Sequence, residues 1–131
     1  MSGKTAVIAG VAGILILAAL SWLLRPEPDV EPFTFEVSGE SMLPTMHPGD
    51  LAYAERIPWG ELEAGMIATT IDGVVHRLGD KHPLGWVTVG DNNPASDRFV
   101  MTRKDYEAVV LYWQTHDGDI VTPEYAERFL E

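Results

Sequence analysis

The sequence predicts a mainly β domain that is carried on a single N-terminal transmembrane helix. The first observation is an uncharged apolar run of nineteen residues, from Ala6 to Leu24. The second is that the rest of the chain alternates between short segments of period two and clusters of turn residues, which is typical of strands. At 131 residues the chain has room for one small domain besides its terminal segments.

The apolar run is long enough to cross a bilayer. As a helix rising about 1.5 Å per residue, it spans roughly 28 Å. A cleaved secretory signal is the alternative, but its apolar stretch is usually about 7 to 15 residues long and a small-x-small site follows it. The sequence "SWLLRPEPDVEP" at the end of the run offers no such site. Residues 1–24 are therefore predicted to be an uncleaved anchor in the cell membrane.

Positive charge gives the expected orientation of the anchor. Lys4 and the amino terminus lie in the short segment before it, and Arg25 lies just after it. A short basic tail is most simply left in the cytoplasm. We therefore expect the domain on the extracytoplasmic side.

Composition excludes several classes of function. After the anchor, eight basic residues stand against twenty acidic ones, a formal charge of −12. A surface of that sign argues against nucleic acid and anionic headgroups as partners. The chain has no cysteine, which excludes disulfides, thiol chemistry and cysteine metal sites.

The elements after the anchor follow from local pattern. "RPEPDVEP", residues 25–32, has three prolines and is predicted to be a stiff, extended spacer. Residues 33–131 are predicted to form the β domain. Alternating residues predict strands within 33–37, 51–57, 66–71, 73–78 and 86–90, and the Asp72-Gly73 pair predicts a hairpin.

The last third of the chain is predicted to contain helical segments as well as an apolar segment. "TRKDYEAV" (102–109) predicts a helical turn that leads into the apolar segment "VVLYWQT" (109–115). "TPEYAERFL" (122–130) predicts a short closing helix, with Thr122 as N-cap and Pro123 at the first helical position.

Three segments hold residues capable of nucleophilic catalysis. Ser41 lies in the loop "SGESMLPTMHPGD", His76 in "VVHRL", and Asp91 and Asp97 in "VGDNNPASDR". Singly, each has an ordinary interpretation: a turn, a hydrogen-bonded strand histidine and an Asn-rich turn. A serine becomes a nucleophile only with a base, oxyanion donors and a fixed orientation. Together the residues permit a Ser-His-Asp triad, hence a membrane-tethered serine hydrolase.

These three segments, in this order and behind an N-terminal anchor, resemble the type I signal peptidases. In that family a serine segment reads Gly-x-Ser-Met-x-Pro-Thr, with Gly-Asp a few residues on, and is followed by a base segment and a Gly-Asp-Asn segment. The resemblance spans roughly residues 37 to 98. Bacterial members usually have lysine at the base position, whereas the archaeal and endoplasmic reticulum branch has the histidine found here. The sequence "SMLPTM" in the serine segment is closer to the bacterial form.

The resemblance implies a role for each residue. Ser41 is expected to be the nucleophile, His76 the general base, Asp97 the residue that orients the histidine, and Asp91 a support for the site. Some bacterial relatives have a serine oxyanion donor two residues before the nucleophile. Gly39 stands at that place, so backbone N–H groups are expected to replace it. The large extra β-region of many bacterial members is missing.

The resemblance also implies the partners. The expected substrates are preproteins with N-terminal signal peptides, bound as an added strand beside "FTFEV", at the lipid bilayer and near a secretion channel. No cofactor is expected, and no metal, because His47, His82 and His116 lie far apart in sequence. Two alternatives stay open. One is a processing peptidase dedicated to a single pilin, phage or secretion-system substrate, and the other is an inactive anchored binding module.

Overall fold

The structure is a computed structural model that describes residues 26–130. The anchor predicted for residues 1–24, its orientation and the start of the spacer lie outside the described residues. Within residues 26–130, no helix is long and apolar enough to cross a membrane.

The described residues form a single antiparallel sheet of eight strands. The strands are β1 (Phe33–Glu36), β2 (Leu51–Glu55), β3 (Ile67–Thr70), β4 (Val75–His82), β5 (Gly85–Val89), β6 (Val100–Thr102), β7 (Tyr106–Gln114) and β8 (Ile120–Val121). They are arranged in the order β1-β2-β7-β3-β4-β5-β6, and β8 pairs with the end of β7. The prediction of a mainly β domain is confirmed.

The core explains why these segments become strands. Ala52 and Ala54 of β2 are fully buried, with the polar or half-buried residues of the strand between them. Strand β7 has neighbours on both sides and buries Val109, Val110 and Leu111 completely. Register shifts in the β2–β7, β3–β7 and β4–β5 pairs bend the strands. The sheet therefore curls around its own apolar face.

Each of the five predicted strand segments overlaps an observed strand, and the hairpin at Asp72-Gly73 joins β3 to β4. The helical turn predicted in "TRKDYEAV" is wrong, because residues 103–105 form the turn between β6 and β7. The Asp105 carboxylate accepts hydrogen bonds from the backbone N–H and the hydroxyl of Thr102, both at 2.9 Å. That side chain closes a tight turn, after which the chain continues as β7 and pairs with β2 and β3 instead of forming a helix.

The closing helix is a 3-10 helix, Glu124–Phe129, so the prediction of a short C-terminal helix is confirmed only in its position. Pro123, not Thr122, occupies the N-cap position, and no side chain caps the helix. Tyr125 fixes the helix to the sheet. Its hydroxyl donates to Val110 O at 2.6 Å and accepts from Ile67 N at 3.2 Å, and burial raises the pKa of Tyr125 to about 12.

The spacer lies against the domain and is held there by Glu27. Its carboxylate accepts hydrogen bonds from Trp59 N at 2.9 Å, Arg56 Nε at 2.9 Å and Arg103 Nη2 at 3.1 Å. Arg56 Nη2 also lies 2.8 Å from Glu27 Oε2, as a charge contact without a directed hydrogen bond. Burial alone would raise the pKa of Glu27, but these N–H donors and cations lower it below its usual value. Glu27 therefore fixes the spacer to the domain.

Candidate active site

Ser41, His76 and Asp97 come together in the structure. The Ser41 Oγ atom lies 3.2 Å from His76 Nε2, and His76 Nδ1 lies 2.5 Å from Asp97 Oδ2. The side chains of His76 and Asp97 are 14% and 13% exposed. A hydroxyl, an imidazole and a carboxylate thus follow one another in hydrogen-bonding contact, which is the arrangement that activates a serine.

The loop that holds Ser41 connects β1 to β2. Gly39 has a φ of 81°, in the left-handed region where a residue with a side chain would be strained. This glycine turns the chain just before the nucleophile. Met42 and Met46, which are 2% and 0% exposed, fix the other side of the loop in the core. The Ser41 hydroxyl therefore projects from a loop with little freedom to move.

His76 lies near the start of β4, where it pairs with Ala68 of β3. Pairing between β4 and β5 begins one residue later, at Arg77. His76 therefore sits where one side of β4 has no strand neighbour, and its ring can face the serine loop. His76 is therefore placed at an opening of the sheet and not within the core.

Asp97 is held by Thr88 of β5. The Thr88 hydroxyl donates to Asp97 Oδ2 at 2.6 Å, and Asp97 N donates to Thr88 O at 2.8 Å. The sequence interpretation did not include Thr88. A signal was present, because period two places Thr88 on the same face as the buried Trp86, and a buried hydroxyl needs a hydrogen-bond partner.

Asp91 does not contact His76 and belongs to a second cluster. Arg77 donates to both Asp91 oxygens, from Nε at 2.8 Å and Nη2 at 2.7 Å, and the Thr45 hydroxyl donates to Oδ2 at 2.5 Å. Arg77 Nη1 also donates to Gly65 O at 2.7 Å. The Arg77 hydrogen bonds hold the pKa of Asp91 below its usual range, and the same pair raises the pKa of Arg77.

The loop after β5 also contacts the serine loop directly. Asn92 N donates to Ser41 O at 2.8 Å, and the Asn92 side chain donates to Glu40 O at 3.2 Å. Gly90 lies so close that a Cβ atom there would meet Ser41 O at 2.7 Å. The two backbones approach so closely that only glycine fits at residue 90.

A groove of about 300 Å³ runs beside Ser41 and His76. One wall comes from β1 and the residues after it, and the other from the β3–β4 turn and the start of β4. β1 lies at an edge of the described sheet, with β2 as its strand neighbour. The apolar part of the lining consists of Phe35, Val37, Met42, Val74, Val75 and Phe99. The groove therefore combines an open strand edge with apolar walls.

Backbone donors are present beside the nucleophile. Gly39 has no side chain to stabilise an oxyanion, and Ser38, one residue further away, is exposed. Among residues 26–130, no acceptor takes the N–H of Ser41. This N–H is therefore open to a substrate oxygen. The described part of the chain contains no group of three His, Asp or Glu side chains placed to hold a metal.

No protein-family model matches the chain, and neither a curated protein nor a solved structure has significant similarity to it. The relation to the type I signal peptidases therefore stays a prediction that rests on the three sequence segments.

Proposed function

We propose that the chain is a membrane-anchored serine endopeptidase that removes N-terminal signal peptides from exported or membrane preproteins. The observation that carries the proposal is the contact series Ser41 Oγ, His76 Nε2 and Nδ1, and Asp97 Oδ2. The resemblance to signal peptidases gives the substrate class, and the nineteen-residue apolar run gives the membrane location.

The acylation step follows from the geometry. With the proton on Nδ1 donated to Asp97, His76 Nε2 accepts the Ser41 proton while Oγ forms a bond to the scissile carbonyl carbon. The carbonyl oxygen becomes an oxyanion and receives a hydrogen bond from the Ser41 N–H. Collapse of this intermediate breaks the C–N bond, and the imidazolium gives its proton to the leaving amine.

Deacylation repeats the same proton movements with water. His76 Nε2 removes a proton from the water as the water oxygen bonds to the acyl carbon. The bond between that carbon and Ser41 Oγ then breaks as His76 returns the proton to Oγ. The products are a new carboxyl terminus and a free serine. Imidazole suits both steps because its unperturbed pKa lies near neutral pH.

Substrate binding uses the groove. An extended peptide can add to the open edge of β1 through main-chain hydrogen bonds, while its side chains face the apolar walls. Phe35 and Val75 both line the groove. This arrangement favours peptides with small or apolar residues before the scissile bond, as signal peptides have in the family that the chain resembles.

The test is cleavage of a preprotein by wild type, Ser41→Ala and His76→Ala proteins in liposomes, with the new N-terminus identified by mass. Wild type is expected to cut once after small residues, and both variants are expected to lose that product. Equal products from all three would reject the proposal. No cut by folded wild type in a panel of preproteins would replace it with a dedicated processing peptidase or an inactive module.

A further inference from the structure

Basic residues are concentrated on one face of the domain. The described residues include seven Lys or Arg side chains, and four of them line two adjoining surface hollows. Arg103 and Lys104 line both hollows, while Arg56 lines the first and Lys81 the second. The two linings contain one acidic residue, Glu107, and the Glu27 carboxylate is bound to Arg56 and Arg103. Four cations against these two carboxylates leave a locally cationic surface on a chain of formal charge −11.

The same surface presents two apolar side chains to solvent. Leu84 in the β4–β5 turn is 69% exposed and Ile71 in the β3–β4 turn is 67% exposed, more than the other exposed large hydrophobic side chains of residues 26–130. Ile71 lines the first hollow and Leu84 the second. We call the surface formed by these two residues, Lys81, Arg103 and Lys104 the stalk-side face.

The chain enters the domain at this face. Pro26 and Pro28 line the first hollow, and the carboxylate of Glu27 between them is fixed by Arg56 and Arg103. The predicted anchor ends at Leu24. Two residues of fully extended chain span about 7 Å. If Leu24 ends a transmembrane helix, the stalk-side face lies within about one headgroup layer of the apolar part of the membrane.

We propose that the stalk-side face rests on the phospholipid headgroup layer of the bilayer. Ile71 and Leu84 reach toward the acyl chains, and Lys81 and Lys104 face lipid phosphate groups. Lys81 Nζ lies 4.7 Å from the Trp86 ring centroid and 5.4 Å from that of Trp59, so cation–π contacts hold its ammonium group at this face. The inference rests on the membrane anchor of the proposed function.

The net negative charge argues against anionic headgroups as partners of the domain as a whole, but the contact proposed here is confined to the stalk-side face. At physiological ionic strength the Debye length is about 8 Å, so carboxylates on distant surfaces are screened from the membrane while groups in contact are not. The arrangement also places the active site at the bilayer. The β3–β4 turn contributes Ile71 to the stalk-side face and Gly73 to the groove beside Ser41, so substrate enters the groove next to the lipid surface.

The absence of native cysteine makes a direct test available. Full-length Ile71→Cys, Leu84→Cys and Ile120→Cys proteins are labelled with an environment-sensitive fluorophore in vesicles of phosphatidylcholine and phosphatidylglycerol. Ile120 is the matched control, because it is apolar, 58% exposed and lies in β8 beside the opposite end of the nine-residue β7. We expect doxyl-labelled lipids to quench the labels at 71 and 84, and aqueous iodide to quench the label at 120.

Equal iodide quenching at all three sites would overturn the inference, as would lipid quenching at residue 120 alone. A second comparison tests the phosphate contact. Adding Lys81→Gln and Lys104→Gln to the Leu84→Cys protein is expected to reduce quenching by lipid, whereas adding Arg128→Gln is not. No change with the lysine pair would reject the role of the two charges.

Peptide hydrolysis in detergent separates this inference from the proposed function. If the protein hydrolyses peptide but its labels show no lipid contact, the membrane contact of the stalk-side face is overturned and the peptidase proposal stands. Lipid contact without hydrolysis of any preprotein would overturn the peptidase alone. A chain that alkaline carbonate extracts from the vesicles would overturn the anchor, and with it this inference.

Discussion

The guanidinium of Arg77 holds the carboxylate of Asp91 through two parallel hydrogen bonds, at 2.8 and 2.7 Å. Arg77 directly follows His76 on β4, while Asp91 also binds Thr45, four residues after Ser41. This ion pair therefore joins the strand that carries the imidazole to the loop that carries the hydroxyl. The distance between Ser41 and His76 depends on two residues that touch neither reacting atom.

Replacing Asp91→Asn is expected to weaken both stability and activity. A hydrogen bond to a charged group contributes about 1.5–3 kcal/mol, and the variant also leaves Arg77 without its carboxylate. We expect the free energy of unfolding to fall by about 2 kcal/mol, measured by urea denaturation. We expect kcat to fall with KM little changed. Asp117→Asn, in an exposed turn, is the control. Equal changes in the free energy of unfolding in the two variants would contradict the prediction.

The stabilisation by Asp91 should also depend on pH. The Arg77 hydrogen bonds lower the pKa of Asp91 in the folded chain, so the unfolded chain binds this proton at a higher pH than the folded chain. The stabilisation is complete above the unfolded pKa of about 3.9 and is lost as pH falls through the lower folded value. The difference in unfolding free energy between wild type and Asp91→Asn should therefore shrink below about pH 4. A constant difference down to low pH would argue against the ion pair.

Asp97 is expected to behave differently from Asp91. Because its Oδ2 atom lies 2.5 Å from His76 Nδ1, Asp97→Asn removes the charge that orients and stabilises the imidazolium. A loss of about 10³- to 10⁴-fold in kcat is expected from comparable triads. The measurement is preprotein cleavage, with reaction of Ser41 toward a fluorophosphonate as a second readout. A loss below about tenfold would remove Asp97 from the proposed mechanism.

Thr88→Val tests the support of that carboxylate. The hydroxyl of Thr88 donates to the same Asp97 oxygen that His76 contacts, and valine preserves the shape of the side chain. We expect a loss of roughly tenfold in kcat, because one charged hydrogen bond is worth about 1.5 kcal/mol or more. Thr69→Val is the matched control. Thr69 is also 3% exposed in a strand, but its hydroxyl contacts are long, at 3.4 and 3.5 Å. Equal losses of kcat in the two variants would assign the effect to the change at a buried threonine and not to the hydrogen bond with Asp97.

Local patterns predicted five of the eight strands, because period two and flanking turn residues indicate a strand with one buried face. They failed at residues 103–105, where the Asp105 carboxylate binds Thr102 three residues earlier and closes a tight turn. The chain then continues as a strand and not as a helix, because β7 pairs with β2 and β3. Those partners are distant in the sequence, so spacing within the segment carries no information about them.

The candidate site was predictable as a set of residues, but only the family resemblance, and not the residues themselves, assigned Asp97 to His76. "GDNNPASD" presents two aspartates on one turn, and the residues alone leave open which of them meets His76. The structure separates them, because Thr88 holds Asp97 and Arg77 holds Asp91. Neither partner follows from the turn itself. Glu27 was likewise interpreted as part of an acidic spacer, because its two arginine partners are 29 and 76 residues away in sequence.

Glu27→Gln is expected to loosen the entry of the chain into the domain. The glutamine keeps one acceptor for Trp59 N–H but removes the charge that faces Arg56 and Arg103. We expect the free energy of unfolding to fall by about 1–3 kcal/mol, because Arg56 is 7% exposed and loses its anionic partner. Glu31→Gln, an exposed change in the same spacer, is the control. Faster proteolysis near residue 30 in Glu27→Gln, and not in Glu31→Gln, would show that the spacer has loosened from the domain.

Gly90→Ala tests whether close backbone approach positions the nucleophile. A Cβ atom at residue 90 would lie 2.7 Å from Ser41 O, and backbone cannot move aside as a flexible side chain does. The serine loop must therefore shift, and a displacement of about 1 Å can cost about 10²-fold in rate. Gly60→Ala is the matched control, since nothing lies within 4 Å of its Cβ position. We expect cleavage to fall in Gly90→Ala while Gly60→Ala retains it and both proteins stay folded. Full activity in Gly90→Ala would show that the loop position does not set the reaction geometry.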